Sequence, residues 1–327
     1  MKKITIYILV FILLFTIIFT GCNQRIKQNL AKPSIVCTIF PQYDWVRQIL
    51  GEKTDNFNLT LLLNNRIDLH NYQPSVDDII KISTCDLFIY VGGESDEWVN
   101  DILEHASNKD MIVINLLEIL GDSVKIEDYI EGMQIEEDHD DIHDHDHETE
   151  HDEHVWLSLK NAKIFCSAIA DALSSLDTEN TGIYQSNMVS YINKLAALDL
   201  EYQTFINASP VNTLLFADRF PFRYLVDDLG INYYAAFSGC SAETEASFET
   251  IIFLAKKTDE LNLNSVIVTE SADQSIARTV INSTSGKNQK ILVLDAMQSV
   301  TSRDVENSIT YISVMEKNLS VLKEALK

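Results

Sequence analysis

The sequence predicts an α/β protein of two lobes, each a parallel sheet flanked by helices, joined by one long rigid helix. Three observations carry that prediction. Short runs rich in Ile, Val, Leu and Phe alternate with stretches of helical period, first in residues 33–176 and again in residues 209–327. Strands that alternate with helices imply a parallel sheet covered on both faces. A chain of about 300 residues behind its leader is more than a single core usually holds, so two lobes are expected. Between the halves, residues 177–208 place Val189, Ile192, Leu195, Leu198, Tyr202 and Phe205 at three-to-four-residue spacing, with no glycine after Gly182 and no proline before Pro210. That is the helical period. A helix of about 26 residues spans roughly 40 Å and is stiffer than a loop hinge.

Taken in order, residues 1–22 read as a targeting segment. Lys2 and Lys3 precede an apolar run from Ile4 to Phe19, which ends in Thr20-Gly21-Cys22. A charged start, a short apolar run and small residues make a secretory signal. The cysteine directly after them resembles a bacterial lipobox, with Phe19 where Leu is usual. Cys22 is then the lipid-bearing first residue of the mature chain, and the domain sits on the outer face of the cytoplasmic membrane. An uncleaved anchor helix is the alternative, and it too places the domain outside. Residues 23–32 are polar and read as a tether. In the first half, 34–39, 58–63, 86–91 and 111–115 read as strands, separated by helical patterns at 42–50, 76–83 and 97–105. In the second, 213–216, 232–236, 265–269 and 290–294 read as strands, and 220–229, 244–261, 271–284 and 305–326 as helices.

One stretch stands apart. Residues 136–154 hold six of the eight histidines of the chain, interleaved with eleven carboxylates. A His-rich tract reads as metal-binding, because neutral imidazole is the commonest protein ligand for zinc. A solvated acidic linker has no need of histidine. His139, His143, His145, His147 and His151 are therefore expected to capture metal ions. His154 leads directly into apolar Val155-Trp156-Leu157, which returns the chain to the fold, so it is the one tract histidine expected to be held in place. His147-Glu148-Thr149-Glu150-His151 fits the H-E-x-x-H metalloprotease signature. That chemistry needs a packed helix with both histidines on one face, and here there is no apolar face. No G-x-S-x-G, Walker loop or G-x-G-x-x-G is present, and no enzyme is expected. The net charge of −24 argues against nucleic acid, which needs a basic face. Cys37, Cys85, Cys166 and Cys240 lack C-x-x-C spacing and read mostly as small buried hydrophobes. Cys240, in a loop, keeps a chance of being a ligand.

In parallel sheets, ligands bind beyond the carboxyl ends of strands. The polar residues there are His70 in the segment 64–74, Asp218, Glu270 and Asp295. Here the chain resembles the zinc and manganese substrate-binding proteins of bacterial ABC importers, of the ZnuA-like kind. Asp68-Leu69-His70-Asn71-Tyr72-Gln73-Pro74-Ser75 resembles the motif that carries the first metal ligand of the family. Asp152-Glu153-His154-Val155-Trp156-Leu157 resembles the one that carries the second. Thr38-Ile39-Phe40-Pro41 and Tyr90-Val91-Gly92-Gly93-Glu94 match further landmarks, and a His-rich insertion before the second ligand is typical of zinc members. The resemblance covers residues 33–327. It implies His70 and His154 as ligands, with Asp295 matching the fourth position. The third slot falls on Ala217 or Asp218, of which only Asp218 can coordinate. Asp218 could equally pair with Arg219 or Arg223, and Glu270 is a reserve ligand. Asp68 and Asn71 are candidates to fix the ring tautomers.

The resemblance further implies a monomeric zinc receptor that delivers Zn²⁺ to an ABC permease and its ATPase. Carboxylates in the second lobe favour manganese or ferrous iron, whereas the His-rich tract favours zinc. A surface adhesin or metal buffer without transport is the third reading.

Overall fold

In the computed structural model the two series of short apolar runs become two four-stranded parallel sheets. The structure describes residues 32–134, 150–241 and 245–327. The leader, Cys22 and the tract histidines His139, His143, His145 and His147 lie outside the described residues.

The first sheet holds β1 (Ser34–Cys37), β2 (Asn58–Leu61), β3 (Leu87–Tyr90) and β4 (Ile112–Asn115), in the order β2-β1-β3-β4. The second holds β5 (Thr213–Arg219), β6 (Asn232–Phe237), β7 (Ser265–Thr269) and β8 (Lys290–Leu294), in the order β6-β5-β7-β8. The two orders are the same pattern repeated. In each sheet the chain moves first to one side of its opening strand and then to the other. Such a switch point opens a crevice beyond the carboxyl ends of the central strands, β1 and β3 in one lobe and β5 and β7 in the other. Every pairing is parallel, and β3 is buried at each of its four residues.

Helices α1 (Phe40–Leu50), α2 (Val76–Thr84), α3 (Trp98–Glu104) and α4 (Leu116–Leu120) belong to the first lobe. Pro41 in the first turn of α1 suits a position whose N–H has no helical partner. Then come α5 (Leu159–Leu176) and the long α6 (Thr181–Ala208), whose 28 residues make a rod of about 42 Å. The helix α5 has no counterpart in the sequence reading, although Leu159, Ala162, Phe165, Cys166, Ile169 and Leu173 mark its buried face at helical spacing. The second lobe adds α7 (Arg223–Leu229), α8 (Phe248–Glu260), α9 (Ser275–Ser283), α10 (Ser302–Glu306) and α11 (Tyr311–Ala325).

One apolar cluster spans both lobes, and a second lies within the second lobe. Residues of the first sheet, α5, α6 and α11 form one contiguous buried cluster with Phe216, Phe220 and Leu294 of the second lobe. The C-terminal helix α11 closes this seam. Asp44 of α1 accepts the Tyr311 N–H at 2.8 Å, and the Trp45 ring meets Tyr311 edge-on at 5.2 Å between centroids. The buried Tyr311 hydroxyl donates to the carbonyl of Trp156 at 2.7 Å. Replacing Tyr311 by Phe leaves that carbonyl without its partner. We expect a loss of about 1–3 kcal/mol in stability, read as a lower urea midpoint at unchanged slope.

Candidate metal centre

His70 sits on a single 3-10 turn, Leu69–Asn71, beyond the carboxyl end of β2. Asp68 caps the turn by accepting the His70 N–H at 3.1 Å, and buried Leu69 anchors it from below. The ring is held from behind: Nδ1 lies 2.8 Å from the Ser95 hydroxyl and 3.5 Å from Glu153 Oε2. Glu153 reaches this place only because residue 93 is glycine. Gly93 has φ +84°, and a Cβ there would lie 2.3 Å from Glu153 Oε1.

His154 arrives from the other side. The end of the acidic tract runs antiparallel to residues 125–127, with Asp152 N–H on the Lys125 carbonyl at 2.8 Å and Glu127 N–H on the Glu150 carbonyl at 2.9 Å. This places His151 in an exposed bridge opposite Ile126 and turns His154 fully inward. Asp152 Oδ1 accepts from both the His154 N–H, at 2.8 Å, and its Nδ1, at 3.0 Å. The following turn is nailed down by Trp156, whose indole N–H donates to the Ala296 carbonyl at 2.9 Å.

With both Nδ1 atoms engaged by oxygens, both Nε2 atoms face one point, 3.2 Å apart. Two nitrogens each about 2.0–2.1 Å from a tetrahedral zinc lie about 3.3–3.4 Å apart, so this spacing is close to that of a ligand pair. The rings differ in basicity. Burial, then the neighbouring His154 and Arg219, push His70 down to about 3, against the pull of Asp68. Burial also opposes charge on His154, but Asp152, Glu127 and Glu153 outweigh it and raise that ring above its ordinary 6.5.

A third donor comes from the loop after β6. Cys240 Sγ, His70 and His154 offer ligand atoms that all lie within 4.8 Å of one another, the group among the described residues able to hold an ion. Burial, then Glu127, Asp152 and Glu153, push the Cys240 thiol well up.

Asp218 and Asp295 are not part of this group. The sequence reading ends the strand at Phe216, whereas β5 runs on through Arg219. Asp218 is therefore within the sheet, and its carboxylate accepts the Thr269 N–H at 2.7 Å and the Thr269 hydroxyl. It pairs with neither Arg219 nor Arg223. Arg219 instead crosses to the first lobe and meets Asp68 at 2.7 Å, while Arg223 meets Asp128 at 2.7 Å. Asp68 is thus bound to Arg219 rather than to a ring nitrogen. Asp295 Oδ1 accepts the Met297 N–H at 2.9 Å. Beside it, Glu270 receives the N–H groups of Ala296 and Gln298, both at 2.8 Å, which shapes the loop after β8. Burial and then the charge of Asp295 raise Glu270 to about 7. That loop presents Gln298, whose amide nitrogen lies 3.2 Å from His154 Nε2 and 3.3 Å from Asp68 Oδ1. Sequence reasoning missed Gln298, for which position just after a strand was the only signal, and it paired Arg219 with Asp218, whereas the partner is Asp68. Next to the His70 turn, a cavity of ≈ 330 Å³ is lined by Asn71, Asp218, Arg219 and Ser271.

A family model described as "ZnuA: Zinc-uptake complex component A periplasmic" matches residues 35–325. The zinc-binding lipoprotein AdcA of Streptococcus pneumoniae serotype 4 is 30% identical over 324 residues, covering 99% of this chain and 61% of its own length. The chain therefore spans about three fifths of that relative. The high-affinity zinc uptake system protein ZnuA of Bacillus subtilis is 26% identical over 297 residues, 90% of this chain and 88% of the relative. Among solved structures, the Zn(II)-bound ZnuA-like domain of S. pneumoniae AdcA superposes with a TM-score of 0.70 at 27% identity, covering 90% of this chain and 99% of that one.

The two rings should titrate apart. A depressed imidazole stays neutral until pH falls to its own value, and a raised one takes its proton earlier. Nitrogen NMR of the zinc-free protein is expected to show His154 protonating above 6.5 and His70 neutral down to about 3. Since only neutral imidazole binds metal, zinc affinity should then fall in two separated steps at this site, first with His154 and again with His70 near 3.

Proposed function

The chain belongs to the ZnuA family of zinc-uptake components, and from that premise we propose that it is the extracytoplasmic solute-binding component of a zinc ABC importer. The observation that carries the proposal is the facing pair of Nε2 atoms, one from each ligand-bearing motif, 3.2 Å apart beside the crevice between the lobes. Each ring has its other nitrogen on an oxygen partner, the arrangement that fixes tautomer and orientation in zinc sites. The name of the zinc-bound AdcA domain agrees with zinc as the cargo.

In this reading His70 and His154 bind the ion. Asp218 and Asp295 stay outside the first set of ligands because their carboxylates are committed to Thr269 and Met297. Zinc is carried and not transformed, so no reaction is assigned. The lobes, residues 33–176 and 209–327, act as two halves held by α6. Lipid on Cys22 keeps the monomeric receptor at the outer face of the membrane, within reach of the permease and its ATPase partner. The histidines His139, His143, His145, His147 and His151 gather zinc weakly and pass it inward.

The test is metal content after dialysis. The chain lacking residues 136–149 is expected to keep one zinc per molecule, and His70→Ala with His154→Ala to keep none. Retention of one tightly held zinc by the double variant contradicts the assignment. So does loss of the tight ion on deleting the tract alone.

A further inference from the structure

Two imidazoles are too few for a tight zinc site, which takes four ligands in its structural form and three protein ligands in its open form. The carboxylates that sequence reasoning nominated are engaged elsewhere. We propose that Cys240 is the third protein ligand, so that the cargo site is a His70–His154–Cys240 set selecting thiophilic dications over manganese. This rests on the receptor reading above and adds a residue and a selectivity to it.

Cys240 is built into this place. It lies beyond the carboxyl end of β6, in the segment Ser238–Ser241. The Cys240 N–H fastens that segment by donating to Glu127 Oε1 at 2.9 Å, and the strand before it is held by the Gln134 N–H on the Ala236 carbonyl at 2.9 Å. Gly239 lets the loop press onto the histidine: a Cβ there would stand 2.9 Å from the Phe220 carbonyl and 3.1 Å from His154 Cε1. The fastening residue, Glu127, belongs to the short antiparallel pairing that also orients His154. One element thus sets the distance between nitrogen and sulfur. Glu127 is itself buried, and its Oε2 has no hydrogen-bond partner among the described residues.

The surroundings differ from those of an ordinary buried cysteine. Cys37, Cys85 and Cys166 are fully buried in the apolar core, whereas Cys240 is partly exposed and has Glu127, Asp152 and Glu153 around it. Acidic neighbours disfavour a bare thiolate and suit one that neutralises a dication. On binding, the S–H proton passes to water and a metal–sulfur bond forms at about 2.3 Å, close to the two metal–nitrogen bonds of about 2.0–2.1 Å. Thiolate is a soft ligand and favours zinc over manganese, which prefers oxygen. Arg219 adds to this. Its guanidinium pairs with Asp68 at 2.7 Å, so that carboxylate is not offered to a hard cation.

The experiment uses cobalt as a spectroscopic stand-in for zinc in the full chain. Wild type with one equivalent of Co(II) is expected to show a near-ultraviolet sulfur-to-cobalt charge-transfer band; the His-rich tract carries no sulfur and cannot supply it. Cys240→Ser should abolish the band and weaken zinc by more than the roughly 10–100-fold lost with an outer-shell partner. Maleimide labelling at alkaline pH, mapped by mass spectrometry, gives a second readout on unmutated protein: Cys240 reacts slowly without metal, as its raised thiol requires, and is protected by zinc but not by equimolar manganese. One-to-one zinc binding with no sulfur band and with unprotected Cys240 overturns the proposal and leaves the receptor reading standing. Absence of one-to-one zinc binding in wild type overturns that reading instead.

Discussion

The arrangement depends on two ring nitrogens that point at each other. At 3.2 Å the two Nε2 atoms are within hydrogen-bond reach of each other, the donor depending on the tautomers. The rings are held there from behind by a pair of oxygens, Ser95 on one and Asp152 on the other. Those oxygens depend in turn on backbone features. Gly93 bends so that Glu153 fits against the Ser95 N–H, and residues 150–152 pair with 125–127 so that His154 enters the fold in one orientation. The geometry of the imidazole pair is preorganised by structure behind the two rings, and preorganisation lowers the cost of binding.

The same economy applies to the lobes. A receptor with a loop hinge can open widely, whereas here the seam is an apolar core shared by both halves and closed by α11. Across the mouth, Arg219 and Gln298 of the second lobe both reach Asp68 of the first, and Ser302 donates its N–H to the Asn64 carbonyl at 2.8 Å. Wide separation would break all of these and expose Trp45, Trp156 and Tyr311, each worth several kcal/mol of burial. Release of an ion is therefore expected to use small tilts and loop movements.

Much of this was legible in the residues. Alternating runs and helical period located the strands within one or two positions at most ends, because those signals are local and strong. The approach of His70 to His154 was legible because each lies in a run of recognisable spacing. The departures share a cause. The strand signal stops at Phe216, whereas β5 continues past a register irregularity and the Asp218 carboxylate faces Thr269. Asp295 follows β8 as read, and its Oδ1 accepts from Met297 in a turn that no local signal marks. The helix α5 escaped notice between a conspicuous tract and a conspicuous rod. Cys240 was nearly dismissed because its partners, Glu127 and His154, lie far away in sequence and only folding brings them together.

The most direct measurement is a crystal structure of the chain loaded with one equivalent of zinc. The account predicts anomalous density between the imidazoles, with His70 Nε2 and His154 Nε2 each about 2.0–2.1 Å from the ion. Zinc bound through Asp218 and Asp295 with both imidazoles unligated, or no ordered zinc between the lobes, would contradict it.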